Sequence, residues 1–343
     1  MDQSNRIQSP AECSFCGSRN FASRGTVPQY IEGSIANIWE CLNCLTQSAI
    51  MEDSNNQSQS AEGLYDAIYN YSERLKGYDR YHRYVRIVRR SRRGMRNLAL
   101  CEDIYWAVAK TVSSISTNRP LRVIEVASGL GYVTAALRSM GIEAYGIDVS
   151  EVAVIRATEA FGPWYATANM LTQCDWPVSQ PDLIIALELI EHLNQPVAVI
   201  DQLTARLSPQ GQLLLSTPNR DISPAEAIWQ TDLPPVHVHW ISETGLTSAA
   251  HSANCNIEFV DFSRFNRWSR RKINKVPSFQ VREPLLNEAM QPIRASSPVR
   301  ERLLASRIAP ILQLLYRHIF SFAPEDRSRS GSLVAICTRK SFG

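Results

Sequence analysis

The chain has 343 residues and is 44% hydrophobic, with 36 lysines and arginines against 33 aspartates and glutamates. This composition excludes a disordered or fibrous protein and leaves room for one core of about 200 residues with smaller appendages. A formal net charge of +3 gives no strong bulk attraction to nucleic acid or membrane, and no stretch reaches the roughly 18–20 apolar residues of a membrane span. The polar start MDQSNRIQSP lacks an apolar signal core, so a cytoplasmic setting is expected.

Residues 1–50 form the first predicted unit. Cys13 and Cys16 make one C-x-x-C pair, Cys41 and Cys44 a second, and 24 residues separate them. Two such pairs in a small polar unit predict four thiolates around a structural zinc ion, with a strand over Ile35–Cys41 leading into the second pair. The lone Cys101, Cys174, Cys255 and Cys337 read as small buried hydrophobes. Residues 51–118 are read as linker and helical connector: MEDSNNQSQSAEG has little to bury, and Leu64 to Ser116 carries a helical apolar pattern rich in tyrosine. Within it Arg80, Arg83, Arg86 and Arg89 recur every three residues, opening a basic run to Arg96. Their shared helix side suits either an anion or plain solvation.

From Leu121 the pattern alternates as in a doubly wound α/β fold. Strands are expected near Leu121–Ala127, Glu143–Ile147, Trp164–Thr167, Asp182–Leu187, Gln212–Ser216, Asn256–Asp261 and Ser332–Thr338. Helices are expected near Tyr132–Met140, Glu151–Phe161, Pro196–Leu207 and Ser242–Ala253. The expected architecture is a mostly parallel seven-stranded sheet of Rossmann-like type, formed by residues 119–263 plus 329–343, with a helical insertion over 264–328 before the last strand. The amphipathic stretch Ala305–Ala323 in that insertion suits a cover over the substrate or contact with a membrane surface.

The first strand runs into Ala127-Ser128-Gly129-Leu130-Gly131 and then a helix. In such folds this turn approaches the ligand most closely, and Asp148, 17 residues beyond Gly131, ends the next strand where a carboxylate can accept both ribose hydroxyls. NAD and S-adenosylmethionine both fit this much. Thr134 occupies the third glycine position of a dinucleotide fingerprint, and Glu125 at the strand end would repel a pyrophosphate but suits a cationic amino-acid moiety. S-adenosylmethionine is the expected cofactor.

The motifs Glu125–Gly131, Gly146–Ser150, Asp182–Leu193 and Leu213–Asn219 resemble, in order, those of class I S-adenosylmethionine-dependent methyltransferases. The resemblance implies that Glu125, Ala127, Ser128, Gly129 and Gly131 face the cofactor's methionine and ribose portion. It implies that Asp148 holds the ribose hydroxyls, that Asn169 receives the adenine amino group, and that Val149, Met170 and Leu187 belong to the same cofactor site. The N-terminal C-x-x-C unit ahead of this core is similar to methyltransferases of sugar and glycan pathways.

After the fourth strand comes ELIEHL, with Glu188, Glu191 and His192, followed by His237 and His239 in PPVHVHW. At helical spacing the first three share one face, and with the later histidines they offer oxygen and nitrogen ligands for Mg²⁺ or Mn²⁺. The segment resembles that of ubiquinone-type O-methyltransferases and small-RNA 3′-end methyltransferases, which implies a metal that binds substrate hydroxyls. The residues alone also leave open His192 as a metal-free general base, and a cluster that is only structural. Three functions follow: O-methylation of a sugar, glycan or other small metabolite, with Glu188, Glu191 and His192 catalytic; RNA 2′-O-methylation; or a non-catalytic cofactor-binding scaffold.

Overall fold

A computed structural model describes residues 9–51, 61–75, 77–170, 176–222, 228, 230–268, 271–273, 283–293, 322–324 and 326–340. Strands β1 (Phe21–Pro28), β2 (Ile35–Cys41) and β3 (Gln47–Met51) form an antiparallel N-terminal meander. The tyrosine-rich connector is four helices: α1 (Ala61–Tyr71), α2 (Asp79–Arg89), α3 (Gly94–Cys101) and α4 (Asp103–Ser114). The main domain then runs β4 (Arg122–Val126), α5 (Tyr132–Arg138), β5 (Glu143–Asp148), α6 (Glu151–Phe161), β6 (Tyr165–Thr167), β7 (Leu183–Ala186), α7 (Pro196–Ala205) and β8 (Gln212–Pro218). It continues through β9 (His239–Trp240), α8 (Glu243–Ser252), β10 (Cys255–Phe259), the short β11 (Arg271–Ile273) and β12 (Phe322–Pro324), and β13 (Ser332–Arg339).

The central sheet has seven strands in the order β10-β13-β8-β7-β4-β5-β6. All neighbours are parallel except β13, which lies antiparallel to both β8 and β10. This is the predicted Rossmann-like sheet. Its middle strands are apolar runs because helices cover both faces, and β7 is buried at all four positions. Boundaries shift where side chains compete. Asp182 sits at the foot of β7 rather than in it, because its carboxylate accepts from both ends of the Arg119 guanidinium at 2.7 and 2.8 Å and from the Arg122 N–H at 3.0 Å. Ser150 caps α6 and Ser242 caps α8, each accepting from the backbone N–H three residues on.

The N-terminal unit shares its sheet with the main domain. Strand β9 completes the order β1-β2-β3-β9, with Ser48 opposite His239 and Gln47 opposite Trp240. Cys13, Phe15, Cys41 and Cys44 belong to the same apolar cluster as Ile241, Leu246 and Ala249. Thr46 docks so closely on α8 that a Cβ at Gly245 would lie 2.0 Å from its Oγ1. Of the insertion, the described Leu285 and Leu286 pack with Val27, Tyr30 and Ile38 of the N-terminal unit. The amphipathic stretch Ala305–Ala323 falls outside the described residues up to position 321. Among the described residues no helix is long and apolar enough to cross a membrane.

Candidate active site

A cavity of about 720 Å³ opens at the carboxyl ends of the central strands, the place where open α/β sheets bind ligands. One end is the turn after β4. Ala127, Gly129 and Gly131 all have positive φ, at 55°, 51° and 74°. An alanine in this region carries a strain of about 1–2 kcal/mol, so Ala127 keeps the turn's shape without a glycine's ease. Gly129 meets the hydroxyl of Tyr69 on α1, which would lie 2.8 Å from an added Cβ. Asp148 is 5% exposed and fixes the turn by accepting from the N–H groups of Gly129 at 2.7 Å and Ser150 at 2.9 Å.

Glu125 lines the cavity from beneath. Its carboxylate accepts from the Thr134 N–H at 2.8 Å and from the Thr134 hydroxyl, and burial pushes its pKa up to about 8. The threonine that breaks the dinucleotide fingerprint therefore serves the acid below it. The N–H at the start of α5 is committed to a carboxylate rather than left for a phosphate.

Among the residues expected at the cofactor, Ala127, Ser128, Gly129, Val149, Asn169 and Met170 line this cavity, as do Glu125, Asp148 and Leu187. Gly131 does not. A Cβ there would lie 2.5 Å from the Tyr165 ring and 2.8 Å from Ala157, so this glycine admits helix packing and sits behind the turn.

The other end of the cavity holds Glu188, His192 and His237. The ELIEHL segment is not a helix face as its spacing suggested. Glu188 has φ of 49° and only Ile190–His192 form a short 3-10 turn. Glu188 consequently points into the cavity, while Glu191 is driven into the core at 0% exposure. The Glu188 carboxylate accepts from the Ser216 hydroxyl at 2.9 Å, and burial pushes its pKa up to about 8. Neither oxygen of Glu191 has a hydrogen-bond partner among the described residues, nor has Nδ1 of His237. The His192 and His237 rings meet edge to face at 4.6 Å, and burial lowers both pKa values to about 3.

Ligand atoms of Glu191, His192 and His237 all lie within 4.8 Å of one another. A buried carboxylate without a donor is costly, and two neutral imidazoles beside it make a donor set that fits a divalent cation. Of the five residues read from the sequence, three are brought together in this way. Glu188 is held by Ser216, and His239 lies across the N-terminal sheet, 2.9 Å from the Ser48 hydroxyl and edge-on to Phe15.

The four N-terminal cysteines form a second cluster, also within 4.8 Å. Sulfur to sulfur, Cys13–Cys44 is 3.7 Å and Cys16–Cys41 is 3.6 Å. Those separations are too long for a disulfide and close to the roughly 3.8 Å edge of a tetrahedron with 2.3 Å metal–sulfur bonds. Each pair is turned by a left-handed residue just after it, Gly17 at 70° and Leu45 at 63°. The N–H of each donates back to the first cysteine of its pair, both at 2.8 Å.

The residue pattern did not single out the cavity's aromatic wall. Tyr65 and Tyr69 of α1, with Tyr78 and Tyr81 at the start of α2, line it together with Asp232. Their i, i+4 and i, i+3 spacing was the available signal. The connector helices supply most of this wall, and of the described insertion Phe265 lines the cavity as well.

Residues 101–259 match the family model described as a methyltransferase domain. A protein of Mycolicibacterium smegmatis named as a probable S-adenosylmethionine-dependent methyltransferase is 26% identical over 165 residues, covering 46% of this chain and 62% of that one. The ubiquinone biosynthesis O-methyltransferase of Idiomarina loihiensis is 28% identical over 106 residues, covering 29% of this chain and 44% of the relative. The chain thus spans about half the length of these curated relatives. An S-adenosylmethionine-dependent methyltransferase structure from Mesorhizobium loti is 16% identical, with a TM-score of 0.44 over 70% of this chain and 100% of that one. The sheet order, the glycine turn above Asp148 and the match over residues 101–259 agree on a Rossmann-like methyltransferase fold for this part of the chain.

Proposed function

We propose that the protein transfers a methyl group from S-adenosylmethionine to a hydroxyl oxygen of a sugar, glycan or other small metabolite. The observation that carries this reading is one continuous cavity with Asp148 and the glycine turn at one end and Glu188, His192 and His237 at the other. The cofactor, when bound, supplies a sulfonium methyl open to in-line attack. Asp148, already oriented by two backbone donors, presents its carboxylate to the ribose. Glu125 and the exposed backbone of Ala127 receive the methionine portion, and Asn169 and Met170 border the adenine. Tyr65 and Tyr69 close the cavity and exclude water, leaving positioning as the main catalytic contribution.

For the acceptor, the pKa values favour a metal over a free imidazole base. Lowered to about 3, His192 is a weak proton acceptor at neutral pH, and its ring nitrogens face the carbonyls of Val236 and Glu188, so it would turn one of them from its carbonyl to serve as a neutral ligand. Glu191, His192 and His237 would hold Mg²⁺ or Mn²⁺, which would lower the pKa of a bound hydroxyl. Cys13, Cys16, Cys41 and Cys44 would hold a structural zinc ion with no open position. The exposed Arg89, Arg92, Arg93 and Arg96 support RNA as the alternative acceptor, whose binding would fall steeply with salt.

Calorimetry with S-adenosylhomocysteine tests the core of this reading. Binding in the micromolar range by the wild type and a loss of at least about 100-fold in Asp148→Ala are expected. Equal binding by the two proteins would refute it.

A further inference from the structure

We infer that Arg80 receives an anionic group, a phosphate or a carboxylate, carried by the methyl acceptor at the Glu188 and His237 end of the cavity. The inference rests on reading the cavity as a methyltransferase site. Among the described residues that line it, Arg80 is the only arginine or lysine. Its terminal nitrogen donates to the Tyr81 hydroxyl at 3.0 Å, while its Nε is buried without an acceptor. No carboxylate of a described residue lies within ion-pair distance of it.

The neighbouring acids have donors of their own. Glu188 is bound by Ser216 at 2.9 Å, Asp232 by Thr231 at 2.8 Å and Glu102 by the Tyr84 hydroxyl. A guanidinium whose fork is left unmatched in a cavity is stabilised by a ligand that presents two oxygens to it. Its place supports the same conclusion. Arg80 stands in the first turn of α2, where the helix dipole disfavours a cation, yet Tyr84, Ile87 and Val88, one to two turns further along the same side, are buried and hold the helix there. The arginine's plane is steadied over the Tyr81 ring, with 5.0 Å from Cζ to the centroid.

Which end of the cavity it serves follows from where α2 begins: a Cβ at Gly77 would lie 2.6 Å from Thr231, and Tyr78 packs against the apolar cluster that holds Leu233 and Val236, the segment that runs into His237. The anion site therefore lies beside the acceptor position, away from the ribose carboxylate.

The test titrates inorganic phosphate, and separately acetate, into the full chain saturated with S-adenosylhomocysteine, read by calorimetry at constant ionic strength. Wild type should bind one of the two anions, and Arg80→Gln should bind it at least tenfold more weakly. Arg80→Lys should fall between them, and a surface control, Arg92→Gln with Arg93→Gln, should match wild type. Affinity for S-adenosylhomocysteine should stay within twofold in every variant, which also shows that each is folded. Two outcomes overturn the inference: wild type and Arg80→Gln taking up both anions alike, or Arg80→Gln losing S-adenosylhomocysteine tenfold with anion binding unchanged. The second would assign Arg80 to the cofactor's own carboxylate. Failure of wild type to bind S-adenosylhomocysteine would instead remove the methyltransferase reading, and the same anion titration without that ligand would still judge the arginine.

Discussion

The protein contains two clusters of residues that could hold a metal ion, and they are specified in different ways. The four cysteines come in two pairs, each closed within one tight turn of five residues, Cys13 to Gly17 and Cys41 to Leu45. Glu191, His192 and His237 come from two segments and are assembled by packing: a left-handed Glu188, a single 3-10 turn and the loop ahead of β9. A site written in local turns survives changes elsewhere in the chain, while one assembled by packing depends on every contact that aims its side chains.

That contrast can be attacked from both sides. The largest effect is expected in the cysteine cluster, where a bound metal would double as folding energy. Cys44→Ser should lower the melting temperature by roughly 10 °C or more, measured by circular dichroism with zinc content determined in parallel. His237→Ala should leave the melting temperature within a few degrees and cut divalent-dependent turnover by about 100-fold; a collapse of the fold instead would put this cluster in the first class. Next comes pH. Glu125 is raised by burial from 4.5 to about 8, so its contribution is fully present below pH 4.5 and is lost as pH rises through 8. Glu125→Gln should therefore flatten the decline of stability between those values, a slope of at most about 1.4 kcal/mol per pH unit, seen in urea titrations at several pH values. The smallest effect concerns the turns themselves: Leu45→Gly should stabilise the protein by about 1 kcal/mol by removing a left-handed leucine, measured by the same titrations, with zinc content unchanged.

The sheet was legible because β-strands buried on both faces announce themselves as apolar runs, and Ile35–Cys41 and Glu151–Phe161 appear with their expected ends. The glycine turn at the cavity was legible because Ala127, Ser128, Gly129 and Asp148 lie next to the strand ends that place them. The acceptor end was less so. Helical spacing assigned Glu188 and Glu191 to one face, and only the positive φ of Glu188 separates them. Two histidines two residues apart looked alike, although His239 enters a sheet with the N-terminal unit and His237 does not. Arg80 and the tyrosines were visible as a pattern but could not be aimed until α1 and α2 were packed over the strands.

One backbone path joins the two clusters. The Ala49 N–H donates to the Val238 carbonyl at 2.9 Å, and the Val238 N–H donates to the Glu191 carbonyl at 3.0 Å. The amide of Val238 lies between His237 and the N-terminal sheet, so slack introduced at the thiolates reaches the imidazole as displacement of a single peptide group. Coupling of this kind is reciprocal: whatever tightens the grip at one end slows hydrogen exchange at the other.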